Sequence, residues 1–291
     1  MERAAACGAQ LIQPGDDEYP ASLLELHDPP PTLFCVGDVA LLSLPSIAIV
    51  GTRRATAYGE RVTRELASAL ARGGAVIVSG LARGVDGVAH RAALEAGGLT
   101  AAVLGTGVDI SYPLSNRALQ AEIAERGLLV SEEPPGSRAS TSSFPKRNRI
   151  IAAITKATII VEAPLRSGAL ITAEHATDLH RTVAAVPGPI DSPQSAGSNL
   201  LLRDCATAIA SVDDALAIMG ISPPRHSSPE PRTAAERRVL DALSAGPTDL
   251  DSLTTLSGLP ARDCLAAVTT LELRGAVACD LTGEVRMVGG W

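Results

Sequence analysis

Aromatic residues are scarce in this sequence: Phe, Tyr and Trp make up 2% of its 291 residues. A core must therefore be built from Ala, Val, Leu and Ile, and a hydrophobic fraction of 46% is ample for one. That content excludes global disorder. Lysine is nearly absent, with Lys146 and Lys156 the only two, so arginine carries almost all the positive charge. Nor is there a surplus of that sign. The formal net charge is −7, so binding of any polyanion must rest on a local cluster of cations. Five cysteines, an odd number, stand singly at Cys7, Cys35, Cys205, Cys264 and Cys279, without a C-x-x-C. The pattern supports neither a disulfide framework nor a zinc ribbon, and suits reduced thiols. No apolar run is long enough to span a bilayer, and the N-terminus lacks the basic and apolar segments of a secretory signal. The expectation is a cytoplasmic protein with no membrane partner.

From Ser46 onward, short apolar runs alternate with amphipathic stretches. The runs are Ile47–Val50, Ala75–Val78, Thr100–Leu104, Leu128–Val130, Ala157–Val161 and Thr182–Val186. Between them, helices are expected near Tyr58–Arg72, Val85–Ala96, Ser115–Arg126, Pro145–Lys156 and Ala169–Arg181. Apolar runs without alternation suit strands covered on both faces. Repeated strand–helix units imply an α/β fold, a Rossmann-like, doubly wound, mostly parallel sheet.

Four segments follow from these patterns. Residues 1–45 form a short N-terminal extension with the stiff linker Asp28-Pro29-Pro30-Pro31, in which Leu33–Val36 adds an edge strand. Residues 46–220 form the Rossmann-like domain and 221–232 a linker rich in Pro and Ser. Residues 233–291 read as a small winged-helix domain, with helices at Ala234–Ser244, Leu250–Leu256 and Pro260–Arg274. A hairpin follows, Ala276–Cys279 and Glu284–Val288, turned at Thr282-Gly283.

Ligands of such a sheet gather beyond the carboxyl ends of its strands, near helix N-termini. The segments there are Gly51-Thr52-Arg53-Arg54, Ser79-Gly80-Leu81-Ala82-Arg83-Gly84, Gly105-Thr106-Gly107, Phe144-Pro145-Lys146-Arg147-Asn148-Arg149 and Arg166-Ser167-Gly168. Arg53, Arg54, Arg83, Lys146, Arg147, Arg149 and Arg166 are thereby expected on one rim, which suits a phosphate-bearing ligand. No G-x-x-x-x-G-K-[ST] occurs, and Gly51 does not open a G-x-G-x-x-G, so the mononucleotide and dinucleotide signatures are lacking. A polymeric phosphate ligand would use several loops together.

Phe144 beside Lys146 and Arg147 suits base stacking with backbone contact. Equally, it suits a hydrophobic staple at a helix start with Pro145 in the first helical position. Asp86 reads as a first-turn charge and His90 as a surface or packing residue. Glu132 and Glu133 are adjacent and make a poor acid–base pair, and His175 and His180 are off the spacing of a helical metal pair. No catalytic centre, metal site or cofactor is expected.

The ordered series Val50-Gly51-Thr52-Arg53, Ser79–Asp86, Gly105-Thr106-Gly107 with Tyr112-Pro113, Ser131-Glu132, Phe144–Ala152, Glu162–Ala173 and Val186-Pro187-Gly188 resembles the DNA-processing protein A (DprA/Smf) family. The similarity covers roughly Tyr19 to Met219. It implies a non-enzymatic, single-stranded DNA-binding protein that dimerises, protects incoming DNA and helps load the RecA recombinase during natural transformation. By motif, the implied DNA-binding residues are Arg53, Lys146 and Arg147 with Phe144 as a base platform, together with Gly51, Gly80, Arg83, Gly105 and Asn148. Arg149 joins them from the rim. The sequence departs from the family in its shorter stretch before Tyr19-Pro20, at Cys205-Ala206, and at Ala153 where glycine is common. An alternative is a phosphoribohydrolase-like, nucleotide-processing hydrolase on a related sheet, using Glu132 and Glu133. Against it, the P-G-G-x-G-T signature is absent. In the winged helix, Arg262 and Arg274 are balanced by Asp263 and Glu272, so contact with protein is at least as well supported there as DNA reading.

Overall fold

The computed structural model describes residues 2–140, 142–222, 231–244, 246–280 and 283–287. It divides into two compact units, Met1–Ser222 and Pro223–Trp291. Most of the expected linker, residues 223–230, and the hairpin positions Thr282 and Val288 lie outside the described residues.

The first unit is built on a nine-stranded sheet among the described residues. Its strands are β1 (Gln10–Ile12), β2 (Leu33–Gly37), β3 (Ser46–Val50), β4 (Val76–Ser79), β5 (Thr100–Leu104), β6 (Leu128–Ser131), β7 (Ala157–Ile160), β8 (Thr182–Ala185) and β9 (Thr207–Ala208). They lie in the order β1-β2-β6-β5-β4-β3-β7-β8-β9. From β6 to β9 every pairing is parallel, while β2 runs antiparallel to β6 and β1 antiparallel to β2. The expected doubly wound sheet is present, and each expected strand falls within a residue or so of its observed bounds.

Residues 1–45 form part of this unit rather than a separate lead-in. β2 pairs with β6 in the register Cys35↔Val130, and β1 covers its outer side, so β2 is not the outermost strand. Leu23, Leu33 and Leu41 are buried in the same core as Val76 and Val103. Antiparallel pairing lets a segment that precedes the parallel series close its open edge without a helical crossover.

Eight α-helices accompany the sheet among the described residues: α1 (Glu2–Ala6), α2 (Ala57–Arg72), α3 (Val85–Glu95), α4 (Arg117–Arg126), α5 (Ser143–Ala153), α6 (Gly168–Asp178), α7 (Ala196–Arg203) and α8 (Val212–Met219). Alternation along β3 sorts the layers. Ala48 and Val50 pack with Ile150 and Ile151 of α5 and Ala173 of α6. Ile47 and Ile49 pack with Leu66 of α2, Ala89 of α3 and Leu216 of α8. A period of two, buried on both faces, is what a central parallel strand requires. Helix α5 starts two residues earlier than expected, so Pro145 is its third residue rather than its first.

The chain leaves β3 for β4 on one side, and returns more than a hundred residues later as β7 on the other. The crevice between β3 and β7 is thus the topological switch point, where loops diverge and leave room for a ligand.

The second unit carries α9 (Ala234–Leu243), β10 (Thr248–Asp249), α10 (Leu250–Ser257), α11 (Ala261–Leu273), β11 (Val277–Cys279) and β12 (Glu284–Met287), its strands ordered β10-β12-β11. That is the winged-helix arrangement. Arg274 caps the end of α11 and pairs at 2.8 Å with the buried Glu236 of α9, so it serves the fold of this unit.

Candidate nucleic-acid interface

The loop after β3 is pinned from below. Thr52 N–H donates to the Glu162 carbonyl at 2.7 Å. The Glu162 carboxylate accepts from Thr56 N–H at 2.9 Å and from the Thr56 hydroxyl at 2.6 Å. Glu162 is 2% exposed, and a carboxyl group so buried needs such donors. Thr56 in turn caps α2 through Gly59 N–H at 3.1 Å. A side chain at Gly51 would meet Val85 at 2.7 Å and the Glu162 carbonyl at 2.8 Å, which is why the loop can pass there only as glycine. Held this way, the loop leaves Arg53 and Arg54 exposed.

The loop after β4 is fixed by two groups. Asn116 Nδ2 donates to the carbonyls of Leu81 at 3.0 Å and Ala82 at 3.1 Å. Asp86, in the first turn of α3, is buried beneath both loops and takes hydrogen bonds from the backbone at Gly51, Gly80 and Ala82, the last at 3.4 Å. Burial raises its pKa, and the Arg147 guanidinium with those backbone donors pulls the other way. Arg83 projects from the same loop, exposed.

Arg147 lies under the rim, not on it. Its Nη1 donates to the Gly80 carbonyl at 2.8 Å and to the Val103 carbonyl, and it is 7% exposed. Gly80 has no room for a side chain because the guanidinium fills that space. Burial brings the Arg147 pKa down to about 10, with Asp86 opposing and Arg53 adding to the shift, so the group is still a cation at neutral pH. It faces the buried carboxylate of Asp86 from the opposite side of the Gly80 turn.

Phe144, half-buried at the start of α5, forms the wall of the site. The Arg53 guanidinium carbon lies 5.2 Å from its ring centroid, a cation–π contact. The Tyr112 ring lies 5.3 Å away, tilted by 35°. A methyl group at Gly105 would sit 2.9 Å from Phe144 Cδ1, so this glycine makes the seat of the ring. Asn148 Nδ2 donates to the Gly168 carbonyl at 3.0 Å and ties α5 to the start of α6.

A cavity of about 590 Å³ opens at the switch point, lined by Arg53, Arg54, Phe144, Arg147 and Arg166, with Asp86 in its floor. A second, of about 460 Å³, adjoins it, shares Arg53, Tyr112, Phe144 and Arg147 with it, and takes in Arg83 and Gly80. The structure thus brings together Gly51, Arg53, Gly80, Arg83, Gly105, Phe144, Arg147 and Asn148. Lys146 and Arg149 turn elsewhere. Arg149 makes a two-oxygen pair with Glu132 at 2.9 and 2.8 Å, and Lys146 Nζ reaches the same carboxylate at 3.2 Å. His90 is in the core, neither at the surface nor in either cavity: it is buried with its Nδ1 2.7 Å from the Thr100 hydroxyl.

Sequence reasoning missed the roles of Glu162 and Asn116 and the depth of Asp86. One signal was available: Glu162 directly follows the apolar run of β7, where an acidic residue is costly unless paired.

Residues 10–220 match the DNA recombination-mediator protein A family, and residues 223–280 match the DprA winged helix domain. Protein Smf of Escherichia coli is 37% identical over 286 residues, 94% of this chain and 76% of that protein. The crystal structure of DNA processing protein A from Streptococcus pneumoniae is similar with a TM-score of 0.70 at 42% identity, covering 72% of this chain and 74% of that one. DNA processing protein A from Helicobacter pylori, in a structure described for its single-stranded DNA binding mode, is similar with a TM-score of 0.65 at 36% identity, covering 72% and 94%.

Proposed function

The chain belongs to the DNA recombination-mediator protein A family, and from that premise we propose that it binds single-stranded DNA across the mouth of the switch-point cavity. One observation carries the reading: four exposed arginines, Arg53, Arg54, Arg83 and Arg166, ring cavities walled by Phe144, in a chain whose net charge is −7. Positive charge concentrated against the overall balance marks where a polyanion docks. An aromatic wall favours unpaired bases, whose faces are free to stack. The binding mode described for the Helicobacter pylori relative supports the same choice. Arg147 adds its charge from the floor, while its bonds to two carbonyls hold the loops in place.

The role is that of a recombination mediator without enzymatic activity, acting in the cytoplasm as a homodimer. It protects incoming single strands and helps load the RecA recombinase during natural transformation. Asp86, the carboxylate in the cavity lining, is held by backbone N–H groups, and Glu162 and Glu132, outside both linings, are engaged by Thr56 and by Arg149 and Lys146, which speaks against a hydrolase. The winged-helix unit suits contact with a protein partner, since Arg274 is paired to Glu236 and is not offered to a groove.

The test is binding of a fluorescent oligo-dT to wild type and Arg53→Ala across a salt series, with a duplex of equal length as competitor. Taking away one cation that neutralises a phosphate flattens the slope of log K against log salt by about 0.7 for a single strand. Weaker binding with that flatter slope is expected for Arg53→Ala. Wild type that fails to bind at low salt, or that prefers the duplex, overturns the reading.

A further inference from the structure

We propose that Tyr112 is a second base-stacking residue, and that the 460 Å³ cavity beside it is a nucleotide subsite adjoining the one at the switch point. The inference rests on the single-stranded DNA reading and extends it to Tyr112, which lines both cavities.

Tyr112 stands apart from the other tyrosines. Tyr19 is buried and its hydroxyl donates to the Pro30 carbonyl at 2.8 Å; the Tyr58 hydroxyl donates to the Pro187 carbonyl at 2.9 Å. Tyr112 is 45% exposed, and its hydroxyl makes no hydrogen bond among the described residues. A large ring left exposed in a chain with so few aromatics forgoes the burial that a core position would supply. Its neighbours explain the position. Phe144 contacts it on one side, and the cavity continues past it to Leu114, 77% exposed, with Arg83 on the same lining.

This set has the composition a nucleotide subsite needs: an aromatic face and an aliphatic side chain for a base, and a guanidinium within the same cavity for its phosphate. The volume decides how many nucleotides fit. At about 460 Å³ the cavity takes one drug-sized moiety, which is the scale of a single nucleotide. The two cavities share Arg53, Arg54, Ala82, Tyr112, Phe144 and Arg147, so a strand running from one into the other keeps Tyr112 within reach of successive nucleotides.

The experiment uses the full chain and three variants, Tyr112→Leu, Tyr112→Phe and Tyr112→Trp, with oligo-dT and an abasic oligonucleotide of the same length. Stacking on one residue accounts for roughly 5- to 100-fold in affinity. Tyr112→Leu should lose that much for oligo-dT and little for the abasic strand, with an unchanged salt slope because every phosphate-binding cation is still present. Tyr112→Phe should stay within about twofold of wild type, since the ring remains. In Tyr112→Trp, the added indole should be quenched by oligo-dT and not by the abasic strand. Equal losses for both strands, or an unquenched indole, overturn the proposal and leave Tyr112 a structural residue. Wild type that binds no oligonucleotide instead removes the DNA reading itself.

Discussion

Acidification tests the burial of His90 directly. Its imidazole is enclosed between α3 and the sheet, and desolvation, reinforced by the charges of Arg147 and Arg91 and opposed by the Ser79 backbone, lowers its pKa from 6.5 to about 3. Thr100 donates its hydroxyl proton to the Ile77 carbonyl at 2.6 Å, so the proton between His90 and Thr100 comes from His90 Nδ1. The folded state therefore holds a neutral ring. Between pH 3 and 6.5 the unfolded chain takes up a proton that the folded chain refuses, so stability falls as pH drops through that window. Referred to the ordinary value, the loss reaches about 2 kcal/mol by about pH 5 and continues at up to about 1.4 kcal/mol per unit below it. That is a sizeable share of a typical domain stability of about 5–15 kcal/mol. The assay is urea unfolding followed by circular dichroism at about pH 7.5 and about pH 5, on wild type and His90→Gln, which keeps a donor for Thr100 without a titrating group. Other titrating groups act on both proteins and cancel in the difference. Wild type should lose about 2 kcal/mol more than the variant over this interval. Equal losses would refute the argument that His90 is held neutral by burial.

Two substitutions probe the interface from opposite directions. Gly105→Ala places a methyl group 2.9 Å from Phe144 Cδ1, so the ring must move. We expect oligo-dT affinity to fall by about 5-fold or more with the salt slope unchanged, as measured by anisotropy. Glu132→Gln removes the carboxylate that occupies Lys146 and Arg149. It should strengthen oligo-dT binding at low salt and steepen the salt slope by about 0.7 for each cation that then engages a phosphate.

Much of the sheet was legible because its strands are covered on both faces, which writes each as an unbroken apolar run between glycines. The elements that escaped have weaker signatures. β9 is two exposed residues, Thr207-Ala208, and β1 is Gln10–Ile12, too short for any periodicity to register. At the site, Arg53 and the glycines could be read from position, since they closely follow strands, and Phe144 from its place beside two cations in a polar stretch. The fate of Lys146, Arg147 and Arg149 could not. Three cations within four residues look like one exposed face, yet α5 continues into the buried Ile150 and Ile151 and carries its neighbours inward. Only the tertiary partners decide the outcome: the Gly80 and Val103 carbonyls accept Arg147, and Glu132 accepts Arg149.

The pairing of β3 with β7 has a consequence for synthesis. Arg53 and Arg83 leave the ribosome early, but the wall opposite them, from Phe144 to Gly168, is made much later and is fixed in place only when Ile47 finds Ala157 across the sheet. Contacts of such long sequence separation form late in folding, after the local helices. A nascent chain halted before β7 therefore carries its early arginines on loops that nothing yet closes. The cluster of cations against the aromatic wall is complete only with the finished domain, so the charge of the early loops alone does not make the site.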